Sequence, residues 1–371
     1  MTKTNRTAIL AAGLAAIAAM SAGADGSKRD GDERFFVYIT GVPVPATNAN
    51  GELAWGESYR LGAIMDLWEA TADPRCLELF AERAAAVMAV RDDRLGLVDE
   101  YRGRAMPAWG SSRYNDGHWA AWIGHTGMLL LPFARFAMAS RNLGFPEALK
   151  PLADELARGA RESIDAFDAE LDWQGDEAYY LGPLGEPWMN RKPRLAFNLV
   201  SVAASAMMVL DDYFGTAVYD ERVRGLALAM ERYLTVADDG RVYWQYMPFW
   251  WSWRADTSHA AQDASFLARC QGRGLGFDAA TRTALEKAFL TIVWPTVDRV
   301  TEVVDGTGEG SLSVVWRWAP LYRGSPLERS YADRLAALIA TGTLSAHDEA
   351  CAWAAWRLAD SRAPASDGKD P

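Results

Sequence analysis

The 371-residue chain is 50% hydrophobic and 11% aromatic, enough apolar material for one large core or two ordinary ones. Its formal net charge of −11 argues against nucleic acid or an anionic membrane surface as the main partner. An anionic ligand would therefore need a local group of arginines set inside an acidic shell.

The chain opens on "MTKTNRTAILAAGLAAIAAMSAGADG". Lys3 and Arg6 precede an apolar run from Ala8 to Met20, which Ala22-Gly23-Ala24 then closes. A charged start, a short apolar stretch and an A-x-A site form the pattern of a cleavable export signal. The run is short for a membrane span, which needs roughly 20 residues. Residues 1–24 are therefore expected as a signal peptide and 25–362 as one exported domain, periplasmic or secreted; a retained N-terminal anchor is the alternative. Residues 363–371, "APASDGKDP", are expected as a disordered tail.

Helical periodicity dominates the rest of the chain. Apolar residues recur at three- and four-residue intervals in "ESYRLGAIMDLWEATAD", "RCLELFAERAAAVMAV", "GHWAAWIGHTGMLLLPFARFAMAS" and "RLAFNLVSVAASAMMVLDDYF". "TSHAAQDASFLARC", "SYADRLAALIATG" and "DEACAWAAWRLAD" repeat the pattern. Strand-like alternation is rare, with "GRVYWQY" the best local case. The fold class is all-α.

Helices come in pairs joined by short links such as "ADP", "RNLGF", "FGTAVY" and "QGRGLGF". Long connections at roughly 91–117, 169–192, 237–256 and 294–325 separate the pairs, and most of the Trp, Tyr, Gly and Pro outside helices lies there. Short-linked helices pack antiparallel, so the long connections gather at one end. About five to seven such hairpins, closed on themselves, make an (α/α) toroid or incomplete barrel with its cleft at the long-loop end. An open helical solenoid is the alternative. Cys76, Cys270 and Cys351 sit in apolar helical patterns and are expected as buried free thiols, with one long-range disulfide as the other reading. No C-x-x-C, H-E-x-x-H or D-x-D-x-D spacing occurs, so no dedicated metal site is expected.

Four stretches carry candidate chemistry. In "RYNDGHWAAWIGHTGM", a helix capped by Asn115 or Asp116 would place His118, Trp122 and His125 at i, i+4 and i+7. Seven residues at 100° each return to within about 20°, one stripe of two imidazoles and an indole. In "MNRKPRLAFNLVSVAASAMM", Asn198 is a lone amide on an apolar helix, with Asn190 and Arg191 ahead of it. In "FWWSWRADTSHAAQD", Asp256 or Thr257 caps a helix whose first turn holds His259, with Arg254 and the indoles of Trp251 and Trp253 just outside. A helix N-terminus, a cation and flat apolar faces suit a sugar bearing a carboxylate. In "SVVWRWAPLYRGSP", Pro320 is expected to block a continuous helix and leave Arg317 and Tyr322 on an irregular segment. Each stretch also has a plain reading, as core packing or ordinary capping.

Together "NRKPRLAFN", "RADTSHAAQD", the H-x-x-x-W-x-x-H stretch and the Arg/Tyr-bearing late loop resemble polysaccharide lyase family 38, the alginate and glucuronan lyases. The resemblance implies a secreted toroid that cleaves a uronic-acid polymer, an anionic polysaccharide, by β-elimination without a cofactor. It implies Asn198 and His259 near the substrate carboxylate, Tyr322 as the proton-transferring phenol and Arg317 as electrostatic support. Tyr243 and Tyr246 compete with Tyr322. Substrate contacts are expected from His118, Trp122, His125, Tyr246, Trp251, Trp253, Arg254, Asn190 and Arg191. Elimination needs a base for the C5 proton, an acid for the departing O4 and donors for the enediolate, which these residue types supply. Two other functions remain open: a toroidal glycoside hydrolase with paired carboxylates drawn from Asp116, Asp176, Glu177, Asp256 and Asp263, and a non-catalytic carbohydrate-binding protein of exopolysaccharide export.

Overall fold

The computed structural model describes residues 26–183, 194–248 and 253–362. The signal-like residues 1–24, the tail 363–371, and Asn190, Arg191 and Trp251 lie outside the described residues. The chain divides after Pro43. Among the described residues the first unit holds helix α1 (26–41), on which the Thr40 hydroxyl bonds back to the Phe36 carbonyl at 2.7 Å.

The second unit is mostly helical, as the periodicity predicts. A π-turn at Leu53–Glu57 leads into α2 (Ser58–Thr71), followed by α3 (Pro74–Ala89) and a single turn, α4 (Asp92–Leu95). Then come α5 (Ile123–Ala139), α6 (Lys150–Asp165), α7 (Phe197–Phe214), α8 (Asp220–Glu231), α9 (Thr257–Arg273) and α10 (Ala279–Ala288). A 3₁₀ turn (Leu312–Trp318), α11 (Ala319–Tyr322), α12 (Glu328–Ala340) and α13 (Ala346–Arg362) complete the order.

The ends of these helices follow local chemistry. Asp73 accepts the backbone N–H of Arg75 ahead of Pro74, whose fixed φ suits a first turn. Asp278 caps α10 through the Thr281 N–H at 2.6 Å. Gly215 and Gly274 close α7 and α9 in the left-handed conformation that glycine adopts without strain. These caps make the short links between α2 and α3, α7 and α8, and α9 and α10.

The long connections are less bare than their composition suggests. Three two-stranded antiparallel hairpins are built into them: β1 (Val98–Asp99) with β2 (Arg104–Ala105), β3 (Leu171–Gln174) with β4 (Glu177–Tyr180), and β5 (Leu234–Val236) with β6 (Val242–Trp244). Only the last lies where strand alternation is expected. The late segment also differs from expectation. Pro320 falls in the first turn of α11, where its missing N–H costs nothing, so 312–322 is helical throughout.

Each hairpin packs on itself: α2 on α3, α5 on α6, α7 on α8, α9 on α10 and α12 on α13. Across hairpins, α2 contacts α5 and α13, and α7 contacts α5 and α9, while α9 and α13 each contact 312–322. The α5–α7 crossing is the tightest, because glycines let the backbones meet. A Cβ on Gly124 would lie 2.5 Å from Leu199 Cδ2, and one on Gly127 would lie 2.7 Å from the Ala203 nitrogen. That approach sets the first turns of α5 and α7 side by side.

Helix α7 is long and apolar enough to cross a membrane by length and composition alone. In the fold it is a core helix, buried against α5, α6 and α9. Cys76, Cys270 and Cys351 are buried free thiols, so the disulfide alternative falls away.

Candidate active site

A cavity of about 440 Å³ opens at the N-terminal ends of α2, α5, α7 and α9. Helices contribute Tyr59, His125, Asn198, Leu199, Ser258, His259 and Gln262. The connections contribute Tyr114, Trp122, Tyr246 and Arg317, and Trp55 comes from the π-turn. The positive dipole ends of α5 and α7 favour an anion here, while α2 continues from the π-turn and Asp256 takes up the first N–H groups of α9.

His259 stands in the first turn of α9, fixed from two directions by the capping residue. Asp256 Oδ1 accepts the backbone N–H groups of Ser258 and His259 at 3.0 and 3.1 Å, and Oδ2 lies 2.5 Å from His259 Nδ1. A carboxylate at Nδ1 holds the proton there and leaves Nε2 as the free acceptor. Burial works to raise Asp256, but the His259 bonds and charge outweigh it and hold its carboxyl below the usual range.

Asn198, in the first turn of α7, is 1% exposed, and neither atom of its carboxamide finds a hydrogen-bond partner among the described residues. An unpaired buried amide costs roughly 1–3 kcal/mol, so such a group in a cavity wall is matched to something that enters. Arg317 completes the polar face. It donates to Ser258 Oγ at 2.9 Å and its guanidinium lies 4.5 Å from the Tyr59 ring centre, with no carboxylate paired to it among the described residues. Burial raises the Tyr59 hydroxyl, against the opposing charge of Arg317. The Gln262 amide locks this wall: its nitrogen donates to the carbonyls of Ser258 and His259, and its oxygen accepts from the Tyr59 hydroxyl at 2.8 Å.

His125 is 3% exposed and accepts from the Trp55 indole at Nε2, 3.1 Å away. Nδ1 then carries the proton as a buried donor without a partner, and burial pushes the imidazole down to about 4, so it stays neutral. Tyr246 lies beside His259, ring centres 5.2 Å apart. Burial first, then Asp256 and Asp263, raise its phenol well above the ordinary value. Asp263 lies beneath this wall, accepting from Ser201 at 2.6 Å and from the Trp244 indole at 2.9 Å. Burial pushes it up to about 7.

Several sequence-based expectations need correction. Tyr322 does not reach the cavity: its side chain is fully buried, stacked on Tyr331 at 4.5 Å, and its hydroxyl donates to the Glu286 carbonyl at 2.7 Å. His118 is also elsewhere. The helix begins at Ile123 with extended Trp122 as its cap, so the His118–Trp122–His125 stripe never forms, and His118 is an exposed partner of Glu100. Arg254 is paired with Asp305 and covers the Tyr243 ring at 4.1 Å, so neither joins the cavity lining. Trp253 is an exposed indole outside that lining. Asn198, His259, Arg317, Trp122, His125 and Tyr246 do come together.

Sequence reasoning overlooked Trp55, Tyr59, Tyr114, Ser258 and Gln262. Gln262 follows His259 by three residues, but on a helix that also carries Asp263, Ser265, Arg269, Gln271 and Arg273 the sequence does not single it out. Among the described residues no Asp or Glu lines the cavity, and no cluster of three His, Cys, Asp or Glu side chains is placed to hold a metal ion. No protein-family model matches the chain, and no curated protein matches it.

Proposed function

We propose that the protein is a polysaccharide lyase that cleaves a uronic-acid polymer, alginate or glucuronan, by β-elimination, and that its helical pairs close into an (α/α) toroid around the cavity. The ring is supported by the neighbour pairs, which run α2–α5–α7–α9–312–322–α13 and return to α2. Export rests on the signal-like residues 1–24.

One observation carries the functional reading. An uncompensated guanidinium, Arg317, and an unpartnered buried carboxamide, Asn198, line a cavity that has a His–carboxylate dyad and phenols but, among the described residues, no carboxylate in its lining. That set matches an acidic sugar. The substrate carboxylate rests against Arg317, Asn198 and the Nδ1–H of His125, which stabilise the enediolate as its charge grows. His259 Nε2 takes the C5 proton, and Asp256 holds the imidazolium that results. The electron pair released from C5 forms the C4=C5 bond as the C4–O4 bond breaks. Tyr246, kept protonated by its raised phenol, gives its proton to the departing O4. The phenol role thus moves from Tyr322 to Tyr246, and the basic role to the imidazole.

The hydrolase reading needs two carboxyl groups roughly 5–9 Å apart across the bond. Asp256 and Asp263 are engaged with His259, Ser201 and Trp244, and Glu177 with Tyr179 and Arg232. The test is an ultraviolet assay for the unsaturated sugar against alginate, glucuronan, pectate and glycosaminoglycans. Absorbance that grows with a uronan supports the lyase. Reducing ends without absorbance would support hydrolysis, and binding without turnover a carbohydrate-binding protein.

A further inference from the structure

Beneath the cavity lies a second chamber of about 120 Å³, and the two share Tyr59, Gln262 and Arg317 as common wall. Its lining is mainly apolar, with Ala63, Met128, Leu131, Val202 and Ala261. Ser58, Ser265 and the Asp66–Arg135 ion pair also line it. Ser205 in α7 is 1% exposed, and its hydroxyl has no partner among the described residues. A helical serine ordinarily bonds the carbonyl one turn back, so a free hydroxyl in the chamber wall is a donor held for something else.

Size and chemistry restrict the occupant. An apolar cavity of about 150 Å³ is known to accept benzene, so a smaller chamber does not hold a sugar ring, which carries more atoms. It does hold a group of three heavy atoms. A methyl suits the apolar wall and a carbonyl oxygen suits the Ser205 hydroxyl.

We propose that the chamber is a substituent pocket that receives an O-acetyl group carried by the uronan, with Ser205 donating to the ester carbonyl. The substrate class rests on the lyase reading; the pocket rests on the chamber itself. A sugar whose carboxylate meets Arg317 sits beside a residue that lines both hollows, within reach of the chamber for an acetyl group on the same or the adjoining ring.

The experiment compares an O-acetylated uronan with the same polymer after mild alkaline deacetylation. Wild type should show a higher kcat/KM on the acetylated form. Ser205→Ala, which removes one donor from a bond to a neutral carbonyl, should lower the acetylated-to-deacetylated ratio about tenfold. Ala63→Val, which fills the chamber, should lower that ratio as well, with circular dichroism confirming the fold of both. Equal or poorer turnover of the acetylated polymer by wild type would overturn the pocket and leave the lyase intact. A ratio unchanged in both variants would do the same and assign the chamber to solvent. If wild type cleaves neither polymer, the lyase reading fails separately, and calorimetric binding of acetylated and deacetylated oligosaccharides decides: tighter acetylated binding that Ser205→Ala loses supports the pocket, and equal or absent binding overturns it.

Discussion

Asp256 grips His259 twice, accepting its backbone N–H at 3.1 Å through one carboxylate oxygen and facing its Nδ1 at 2.5 Å through the other. The residue that starts α9 therefore also orients the proposed base. His259→Ala should reduce turnover by about 10²–10⁴-fold, the usual contribution of a general base, with little change in melting temperature. Asp256→Asn keeps a good cap, so it should leave the helix in place and still lower kcat. Steady-state kinetics beside thermal melts check both; a His259→Ala enzyme with near-normal kcat would remove the base from the scheme.

The two tyrosines give a paired prediction. Tyr246→Phe should stop or severely slow turnover while changing stability little, since among the described residues no hydrogen bond to its hydroxyl holds the fold. Tyr322→Phe should do the reverse. It leaves the buried Glu286 carbonyl without its 2.7 Å donor, costing about 1–2 kcal/mol, and leaves kcat close to wild type. Comparing kcat and denaturation midpoints for the pair separates an active-site phenol from a packing one.

Much of this site was legible in the sequence for a local reason. Asn198 is a lone amide at the start of an apolar helix, and the cap that orients His259 is three residues away from it. What failed was long-range or geometric. Tyr322 and Tyr246 both sit among aromatics in long connections, and only the packing of Tyr322 on Tyr331 distinguishes them. The His118–His125 stripe assumed a helix from Asp116, yet Asp116 adopts a left-handed turn (φ 50°) and Trp122 is extended, so the periodicity stops short. The β3–β4 hairpin had a signal that went unused, Gly175-Asp176 between alternating runs, with Gly175 at φ 63° as such a turn requires. The helical pairs were legible because the short links carry their own caps.

Arg317 and Asn198 should act on the same charge. Arg317→Ala removes the cation lining the cavity and should lower kcat/KM about 10–100-fold, with Arg317→Lys recovering part of it. Asn198→Ala should act chiefly on kcat, because its donor strengthens as the enediolate forms. Michaelis–Menten analysis on one uronan decides; an Asn198→Ala effect confined to KM would make it a simple binding group.

Asp263 gives a pH-dependent prediction. Burial raises its carboxyl to about 7, so the folded protein holds a proton that the unfolded chain has already released. The resulting stabilisation is full below the unfolded value near 4 and is lost as pH rises through about 7, a difference on the order of 2–4 kcal/mol. His125, held at about 4 by burial, works in the opposite sense and loses stability as pH falls below its unfolded value near 6.5. Comparing wild type with Asp263→Asn isolates the first. The advantage of wild type over the variant should shrink between about pH 5 and pH 8, measured by chemical denaturation; a constant difference would mean that Asp263 is ionised throughout.

The central claim is that Arg317, Asn198 and His259 converge on one acidic sugar ring. The most direct measurement is a crystal structure of the His259→Ala variant soaked with a uronate trisaccharide. A sugar carboxylate should lie within hydrogen-bond distance of both Arg317 and Asn198, with C5 facing the space the imidazole vacated. A trisaccharide bound on the outer surface, for example along Trp253, with the cavity holding no sugar, would contradict it.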